Sequence, residues 1–483
     1  MRPSSPLKPT RDSVTTIRED GSRRFLFPAD AAGRFRSARR ATAVALIAAY
    51  LALPWVKVGG YPAVFLDVAR RRFHLFGLTL AAQDMWLLFF LISGLGFGLF
   101  FLTALLGRVW CGWACPQTVF LEHMYRQVER WIDGDAVRRR QWAESPASAP
   151  KAVRRLAKHA VYLVLSAAIA HLFLAYFVSI PALWAMMRAA PAENWGAFVF
   201  IAAATGVVYF DFAWFREQLC VIICPYGRLQ SALTDDHTLV IGYDWSRGEP
   251  RGRLGEAGSG DCVACERCVQ VCPTGIDIRQ GLQLECIGCA ACIDACDEVM
   301  ARVGRAPGLV RYDSLAGLSG RSTRWLRPRT LVYGVLLLAG TAVAAWSIAG
   351  IRPAVLSVTR MVGAPYYVDA DSVRNQFLVR LVNKRAEPAV LTVSVRGLPA
   401  GAAARGLEAP VTVGPLAEEV RPLIVLEPRS RYASPFGFEV EAADSRGTFS
   451  LRRAMEFLGP DAMAAPPGAA APASPHEPAR ANP

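Results

Sequence analysis

The sequence predicts a mixed fold in three parts: an α-helical membrane domain, an inserted cysteine-rich domain and a C-terminal β-sandwich. The 483 residues are 53% hydrophobic, with a mean hydropathy of +0.25, and they include several long apolar stretches. All twelve cysteines lie between Cys111 and Cys296, a confinement that a disulfide framework would not explain. Short runs that alternate apolar and polar residues follow residue 350, as expected for β-strands.

Five apolar stretches approach or reach the length that crosses a hydrocarbon core of ~30 Å. They are residues 41–56, 85–106, 160–180, 195–215 and 330–350. The first is the shortest and contains Pro54, so it is the weakest of the five. The alternative for each is a helix buried in a soluble core, which the unbroken apolar run of 85–106 disfavours most strongly.

Lys and Arg residues indicate the orientation of these spans. Residues 1–40 carry ten of them and loop 107–159 carries ten, whereas loop 181–194 has only Arg188. The positive-inside rule therefore predicts that 1–40, 107–159 and 216–329 are cytoplasmic and that 351–460 lies outside. The Arg clusters flank apolar spans and form no aromatic-studded face, so we expect no nucleic-acid partner.

The C-terminal region is predicted to be a small antiparallel β-sandwich. Alternating runs at 376–381, 389–395 and 436–440 are separated by Pro, Gly and Asn-Lys turns. A sandwich of about a hundred residues over 351–460 fits this pattern. Residues 461–483 are rich in Ala and Pro and are predicted to be a disordered tail.

The most specific signal lies at about 255–300, within the region 216–329. The run C-x₂-C-x₂-C-x₃-C occurs there twice, the first followed by Pro273 and the second by Asp297. Each such run gives three thiolates to one [4Fe–4S] cubane and its fourth to the other. This predicts a ferredoxin-like domain with one cluster held by Cys262, Cys265, Cys268 and Cys296 and a second held by Cys286, Cys289, Cys292 and Cys272. Two structural zinc sites are the alternative, but zinc ribbons use C-x₂-C pairs separated by a longer loop.

The remaining four cysteines form two C-x₃-C-P motifs, each at the predicted cytoplasmic end of a span. One contains Cys111 and Cys115, and the other contains Cys220 and Cys224. Spacing of i, i+4 would put both sulfurs on one helix face, and the proline would end the helix. We therefore predict a shared thiolate site, which would select Cu(I), zinc or iron–sulfur centres. Buried inert cysteines and a thioredoxin-like exchange site are the alternatives.

Histidines give a weaker signal than the cysteines. His123 follows the first C-x₃-C-P motif, and His159 and His171 lie in or beside the third span, where a histidine is often functional. His123 could supplement a metal site there, and His171 has no obvious partner in the sequence; we assign none of the three as a ligand. His74 and His237 are expected at the surface.

The segments CGWACPQTVF and QLCVIICPYGRLQ, the double cluster run, the last span and the sandwich together resemble the cytochrome c oxidase accessory protein family CcoG, also called FixG or RdxA. The paired motifs are also similar to those of the NapH and NosR type membrane ferredoxins. The resemblance implies a multi-pass protein of the bacterial inner membrane with an immunoglobulin-like periplasmic domain. It also implies reduction of Cu(II) to Cu(I) during assembly of cbb(3)-type oxidases, with oxidase assembly factors or copper chaperones as partners.

These expectations point to a cupric reductase with two [4Fe–4S] clusters and copper as substrate or transient ligand. The catalytic and metal-binding residues would be Cys111, Cys115, Cys220 and Cys224, supplied with electrons by an unidentified cytoplasmic donor. One alternative is an electron conduit from a quinol or soluble donor to an extracytoplasmic reductase. Another is a non-catalytic assembly scaffold.

Overall fold

The structure, a computed structural model, describes residues 16–17, 22–80, 84, 86–350, 353–385, 387–447 and 449–460. The chain divides into two compact units, Met1–Ala349 and Gly350–Pro483. The predicted disordered tail, 461–483, lies outside the described residues. Each unit is considered by itself below.

The described residues of the N-terminal unit are mainly helical. They begin with α1 (Arg34–Ala52), β1 (Lys57–Val58), β2 (Tyr61–Pro62), β3 (Val64–Asp67), β4 (Arg72–Leu75), β5 (Leu78–Leu80) and α2 (Trp86–Leu106). They continue with α3 (Val109–Trp113), α4 (Pro116–Phe120), α5 (Arg126–Asp133), α6 (Ala136–Glu144), α7 (Ala149–Val178), α8 (Ile180–Arg188) and α9 (Trp195–Phe210). They end with α10 (Pro225–Leu233), β6 (Leu239–Tyr243), α11 (Trp245–Gly248), α12 (Arg267–Gln270), α13 (Ala291–Arg302), β7 (Val310–Ser314), α14 (Leu315–Leu318) and α15 (Pro328–Ala349).

Short helical turns of other types connect some of these helices. Tighter 3₁₀ turns lie at Pro191–Asn194 and Ile278–Gln280. Wider π turns lie at Leu121–Tyr125, Asp211–Phe215 and Leu219–Ile223. The last of these includes Cys220, the first cysteine of a C-x₃-C-P motif. Because π turns are rare and often mark functional sites, this turn is an indication that the motif is functional.

Within the described residues, four helices are long and apolar enough to cross a membrane. They are α2, α7, α15 and the continuous helical segment Pro191–Phe215. The shortest has 21 residues, which at 1.5 Å per residue spans a core of ~30 Å. These helices agree with four of the predicted spans. The predicted span at 41–56 overlaps α1, which is not among the four, so a fifth span stays a prediction.

The start of α1 inside the Arg-rich segment has a tertiary cause. The Asp294 carboxylate on α13 accepts hydrogen bonds from the backbone N–H groups of Phe35, at 3.2 Å, and Arg36, at 2.7 Å. A helix leaves these first N–H groups without partners, so a carboxylate there stabilises the helix end. Gly33 packs against the same carboxylate, since a Cβ at that position would lie 2.2 Å from Asp294 Cγ. The polar end of α1 is therefore joined to the cysteine-rich region.

The cysteine-rich region is closed by two antiparallel strands. β6 pairs with β7 from Leu239 opposite Ser314 to Tyr243 opposite Val310. Both cluster runs lie in the chain between these strands. Apolar residues from β6, β7 and α13 pack with several cysteines in one buried core. The strand pair thus holds the two ends of the cluster-binding segment together.

Residues 57–80, to which the sequence pattern assigned no element, form small antiparallel sheets. β1 pairs with β2, and β4 lies between β3 and β5. The expectation that His74 lies at the surface is wrong, because it is only 2% exposed. Its Nδ1 lies 2.9 Å from Thr79 Oγ1, and its ring stacks on Tyr61 at 3.9 Å between centroids. The pairing of β4 with β3 and β5 places the His74 side chain on the buried face of this small sheet.

The described residues of the C-terminal unit form a two-layered antiparallel sandwich. Its strands are β8 (Ala354–Arg360), β9 (Tyr367–Val368), β10 (Ser372–Asn383), β11 (Ala389–Arg396), β12 (Ala403–Arg405), β13 (Val411–Val413), β14 (Glu418–Pro428), β15 (Phe436–Asp444) and β16 (Ser450–Phe457). One sheet has the order β12-β14-β10-β8 with β9 on β10, and the other has the order β13-β11-β15-β16. Phe377 and Phe438, from opposite sheets, meet edge to face at 5.5 Å in the shared core. The strands predicted at 376–381, 389–395 and 436–440 are confirmed.

Candidate functional site

The eight cysteines of the double run line two neighbouring cavities. One cavity is lined by Cys262, Cys265, Cys268 and Cys296. The other is lined by Cys272, Cys286, Cys289 and Cys292, with Cys268 at its edge. These are the two groups of four that crossed ligation requires, because the last cysteine of each run faces the first three of the other. The donor sets therefore fit two iron–sulfur clusters.

The backbone of the two runs repeats one unusual conformation. Ala264 and Glu266 in the first run have φ of 53° and 57°, and Gly288 and Ala290 in the second have φ of 66° and 61°. Left-handed backbone is uncommon in residues other than glycine, so its recurrence at matching positions reflects a shared requirement. Left-handed residues next to right-handed ones curve the chain into concave anion sites, among which iron–sulfur sites are common.

Several thiols of these runs are shielded from solvent, which affects their protonation. Burial raises the pKa of Cys268, Cys286 and Cys296 to about 12 each. Free thiols there hold their protons at neutral pH, so iron would displace protons on binding. Among the described residues, no three His, Cys, Asp or Glu side chains are arranged to hold a single metal ion. This applies to the cysteines of the double run and to those of the two C-x₃-C-P motifs alike.

The two C-x₃-C-P motifs share one backbone arrangement at their second cysteine. Cys115 has φ −61° and ψ 126° and precedes α4, while Cys224 has φ −62° and ψ 112° and precedes α10. Each following proline occupies the first turn of the new helix, where its missing N–H costs nothing. The proline therefore ends the preceding helical turn, as predicted, and also starts the next helix. The first cysteines differ, because Cys111 lies in α3 and Cys220 lies in a π turn.

The structure brings the four cysteines of these motifs together. Burial raises the pKa of the Cys220 thiol, and the nearby thiols of Cys115, Cys111 and Cys224 raise it further. Burial also raises the pKa of Cys111 to about 11, although a hydrogen bond with Gln230 opposes this shift. These mutual effects arise only between neighbouring groups, so the four thiols lie near one another, and a shared metal site there stays a prediction. We name these four residues the paired cysteines.

Gln230 is a member of the site that sequence reasoning missed. Its Nε2 lies 3.3 Å from Cys111 Sγ, and the residue is completely buried. An amide can donate a hydrogen bond to a thiolate and accept one from a thiol, so Gln230 suits both states of Cys111. Gln230 is the last residue of the QLCVIICPYGRLQ segment, and its spacing from the cysteines matches no pattern that predicts a contact with Cys111.

The backbone on either side of Cys111 lies directly against the loop of the second cluster run. A Cβ on Gly112 would lie 2.6 Å from Ile287 O and 2.8 Å from Cys289 Cα, so only glycine permits this approach. Gly288 makes the reciprocal contact, since a Cβ there would lie 3.0 Å from the carbonyl carbon of Arg108. The backbone beside Cys111 and the backbone that carries Cys289 are therefore in van der Waals contact.

Side chains fix this contact from both sides. Arg108 donates hydrogen bonds to the carbonyl oxygens of Leu284 and Gly227, the latter at 2.6 Å. It therefore connects the first motif to the segment before the second cluster run and to the second motif. Trp113 Nε1 donates to Tyr312 Oη at 3.2 Å, and Tyr312 donates to Gly288 O at 2.6 Å. These polar ties hold the motif and the cluster loop in one register.

Three of the histidines considered have hydrogen-bond partners other than the paired cysteines. Burial and the nearby Arg39 lower the pKa of His123 to about 4, so it is neutral at physiological pH. His159 Nδ1 bonds with Tyr209 Oη at 2.8 Å, and His171 Nδ1 bonds with Ala167 O at 2.7 Å. His237, expected at the surface, is half-buried, and its Nδ1 accepts a hydrogen bond from Arg324 N at 3.3 Å.

Three protein-family models match this chain. Residues 215–315 match a 4Fe-4S dicluster domain, and residues 85–140 match a 4Fe-4S binding domain. Residues 344–460 match the IG-like fold at the C-terminus of FixG. The first match contains the double run together with Cys220 and Cys224, and the second contains Cys111 and Cys115.

Full-length relatives are similar over most of the chain. The nitrogen fixation protein FixG of Rhizobium meliloti (strain 1021) is 35% identical over 87% of this chain and 90% of that one. Protein RdxA of Cereibacter sphaeroides is 37% identical over 80% of this chain and 86% of that one. Protein RdxB of the same organism is 36% identical over 77% and 81%. A FixG-related protein from Vibrio parahaemolyticus, solved by crystallography, aligns at 18% identity with 22% of this chain and 97% of its own, with a TM-score of 0.21.

Proposed function

Because this chain belongs to the FixG/RdxA family, we propose that it is a membrane cupric reductase: the ferredoxin-like region supplies electrons, and the paired cysteines bind copper as substrate. The chain is an iron–sulfur electron-transfer protein with four helices suited to a membrane. Reduction of Cu(II) and a role in cbb(3)-type oxidase assembly are the proposal. With the cytoplasmic and periplasmic sides predicted above, oxidase assembly factors or copper chaperones would receive the Cu(I).

In this proposal two [4Fe–4S] clusters are held by crossed ligation. The two cavities and the repeated left-handed turns support this assignment. When bound, such clusters supply single electrons. The chain's own residues set the distance over which an electron must pass, because the loop carrying Cys289 contacts Gly112.

Crossed ligation makes a prediction about single substitutions. Cys296→Ser should alter the EPR signal of the same cluster that Cys262→Ser alters, because both would ligate cluster one. Cys272→Ser should in turn match Cys286→Ser. EPR spectra of the four reduced variants, together with their iron contents, would check this. If Cys296→Ser instead matched Cys286→Ser, each run would ligate its own cluster and the crossed assignment would be wrong.

The observation that carries the copper proposal is the contact between Gly112 and the segment Ile287–Cys289. Cys111, which precedes Gly112 in the chain, thus belongs to a segment that contacts the loop of the proposed electron source. Reduction of Cu(II) consumes one electron per ion, and thiolates favour the Cu(I) product over Cu(II). The four thiols are half-buried, so a copper ion can reach them while bulk water is partly excluded. The proposed site is therefore accessible to copper, lies near a source of electrons and favours the Cu(I) product over Cu(II).

One observation favours a second candidate for the paired cysteines. The 4Fe-4S binding domain match at 85–140 contains only two cysteines, Cys111 and Cys115. Four thiolates from the two motifs could therefore hold a third iron–sulfur cluster, which would serve as the point where electrons leave. Iron content distinguishes the candidates: two clusters bring about eight iron atoms per chain, and three bring about twelve.

The proposal is tested on the complete chain purified anaerobically and reduced. We expect about eight iron atoms per chain. Adding Cu(II) with a Cu(I)-specific chelator should bleach the reduced-cluster EPR signals and form one Cu(I) for each electron lost. The expected balance is one oxidised cluster for each Cu(I).

The alternatives give different results in the same experiment. A conduit would reoxidise with quinone analogues and not with Cu(II). A scaffold would keep its reduced-cluster EPR signals after quinone analogues or Cu(II) are added. Either result would overturn the reductase assignment.

A further inference from the structure

A cavity of about 150 Å³ lies beside the first turns of α7, away from the paired cysteines. It is several times the ~30 Å³ that one water occupies in the liquid. Its walls come from the segment before α1, from α5, α6 and α7, and from the end of the Pro191–Phe215 helix. The residues that matter below are Glu129, Asp133, Arg139, Lys151, Arg154, Arg155, Lys158 and Arg216. We call this the basic cavity.

Positive charge predominates in the basic cavity. Six Lys and Arg side chains line it, against two carboxylates. Glu129 is shared, because it accepts from Arg216 at 2.6 Å and from Arg139 at 3.3 Å. Asp133 is held by Lys158 at 2.6 Å. The two acids are therefore already engaged, and they leave an excess of cations around the empty space.

The Glu129 carboxyl group stays ionised although it is buried. Burial alone would raise its pKa, but the charge and hydrogen bond of Arg216 lower the pKa to about 2. Tyr162 Oη adds a hydrogen bond to the same carboxylate at 2.9 Å. Glu129 is thus ionised throughout the physiological range and fully occupied by its partners. It cannot neutralise further cations in the cavity.

Two buried guanidinium groups that line the basic cavity each have one nitrogen without a hydrogen-bond acceptor. Arg216 is 4% exposed and Arg139 is 2% exposed. Within the described residues, Nη1 of Arg216 and Nε of Arg139 are buried without a partner. Buried donors are nearly always satisfied, and a buried charged donor left without an acceptor is especially costly. An anion bound in the cavity would place negative charge beside both guanidinium groups.

The position of the basic cavity indicates which anions can reach it. Lys151, Arg154 and Arg155 lie on the first turns of α7, which then continues as a membrane-spanning helix. The rim therefore lies near the level of lipid headgroups. Basic pockets at this level between transmembrane helices bind phosphate-bearing lipid headgroups. Arginine forks match phosphate oxygens better than most other anions.

We propose that the basic cavity binds a phosphate group, carried by an anionic phospholipid or by free phosphate. Arg139 and Arg216 would contact the phosphate oxygens in the interior. Lys151 and Arg155 would attract it at the rim. This site is separate from the copper site, and its existence does not depend on the reductase proposal.

The test uses rim residues, because changing the buried arginines could unfold the chain. The test variant combines Lys151→Gln with Arg155→Gln. The control combines Arg138→Gln with Arg140→Gln, two exposed arginines on α6 that do not line the cavity and whose loss changes the net charge equally. Arg155→Gln alone serves as a second variant, since Lys151 also donates to backbone oxygens of Ala143 and Ser145. Cluster absorbance confirms that each variant is folded.

Two probes distinguish the sources of phosphate. Native mass spectrometry of the whole chain with phosphatidylglycerol, against phosphatidylcholine, measures lipid binding, and the thermal shift with inorganic phosphate measures the free ion. We expect the test variant to bind the active probe about 10- to 30-fold more weakly, the effect of two interfacial cations. The control should bind like the unmodified chain. The proposal is overturned if neither probe binds, or if the control loses as much affinity as the test variant.

Discussion

Replacing Cys111, Cys115, Cys220 and Cys224 together by serine is expected to abolish Cu(II) reduction while leaving both clusters in place. Serine keeps the approximate size of each side chain but removes the soft sulfur donor. Loss of direct ligands should exceed the roughly 10- to 100-fold effect that changes beyond the ligands produce at metal sites. The rate of Cu(I) formation by the reduced variant measures the effect.

Iron content makes this first experiment decisive. The four-serine variant should keep about eight iron atoms per chain and both reduced EPR signals. A fall of about four iron atoms would instead favour a third cluster at the paired cysteines. Cys265→Ser is the matched control, because it changes one exposed cluster ligand and should lower the iron content. Undiminished Cu(II) reduction in the four-serine variant would show that copper reacts elsewhere.

The second large effect is expected from Gly112→Val. Any side chain at this position collides with the backbone of Ile287 and Cys289, and backbone cannot move aside as the end of a flexible side chain can. The first motif and the cluster loop must then separate. We expect Cu(II) reduction to slow by about 10- to 100-fold, the scale of a misplacement of about 1 Å at a reacting centre.

The matched control for Gly112→Val is Gly206→Val in α9, where a Cβ would meet nothing within 4 Å. It should reduce Cu(II) at the unmodified rate. Both variants should keep their iron, because neither glycine carries a ligand. Stopped-flow absorbance of the clusters after mixing with Cu(II) measures the rate. If Gly112→Val reduced copper at the rate of Gly206→Val, electrons would not pass through this contact.

Sequence patterns predicted those features that depend on residues close together in the chain. The spacing within each run predicts the cluster cysteines and their crossed ligation, and the structure places these eight cysteines around two cavities in the expected groups. Four helices long and apolar enough to cross a membrane follow from apolar length, and the sandwich strands follow from alternation. In each case the physical cause lies within a window of a few residues to a few helical turns.

Features with a distant cause could not be predicted. α1 begins at Arg34 because Asp294, far along the chain, accepts from its first N–H groups. His74 is buried because β4 pairs between two neighbours, in strands too short to leave a clear pattern. Gly112 looked like one residue among several in CGWAC, and its role appears only when the loop around Cys289 is placed against it. Spacing along the chain carries no information about such contacts.

The hydrogen bonds of Arg108 have a kinetic consequence. The Arg108 side chain joins the first motif to the backbone of Leu284 and of Gly227, so in the proposed reductase the electron source and the copper site would belong to one body. A soluble ferredoxin must find its acceptor by diffusion, and its rate depends on concentration and on ionic strength. In the proposed reductase the internal transfer would be a unimolecular step, whose rate would not depend on protein concentration or on salt. Only the binding of the external donor and of copper would then depend on diffusion.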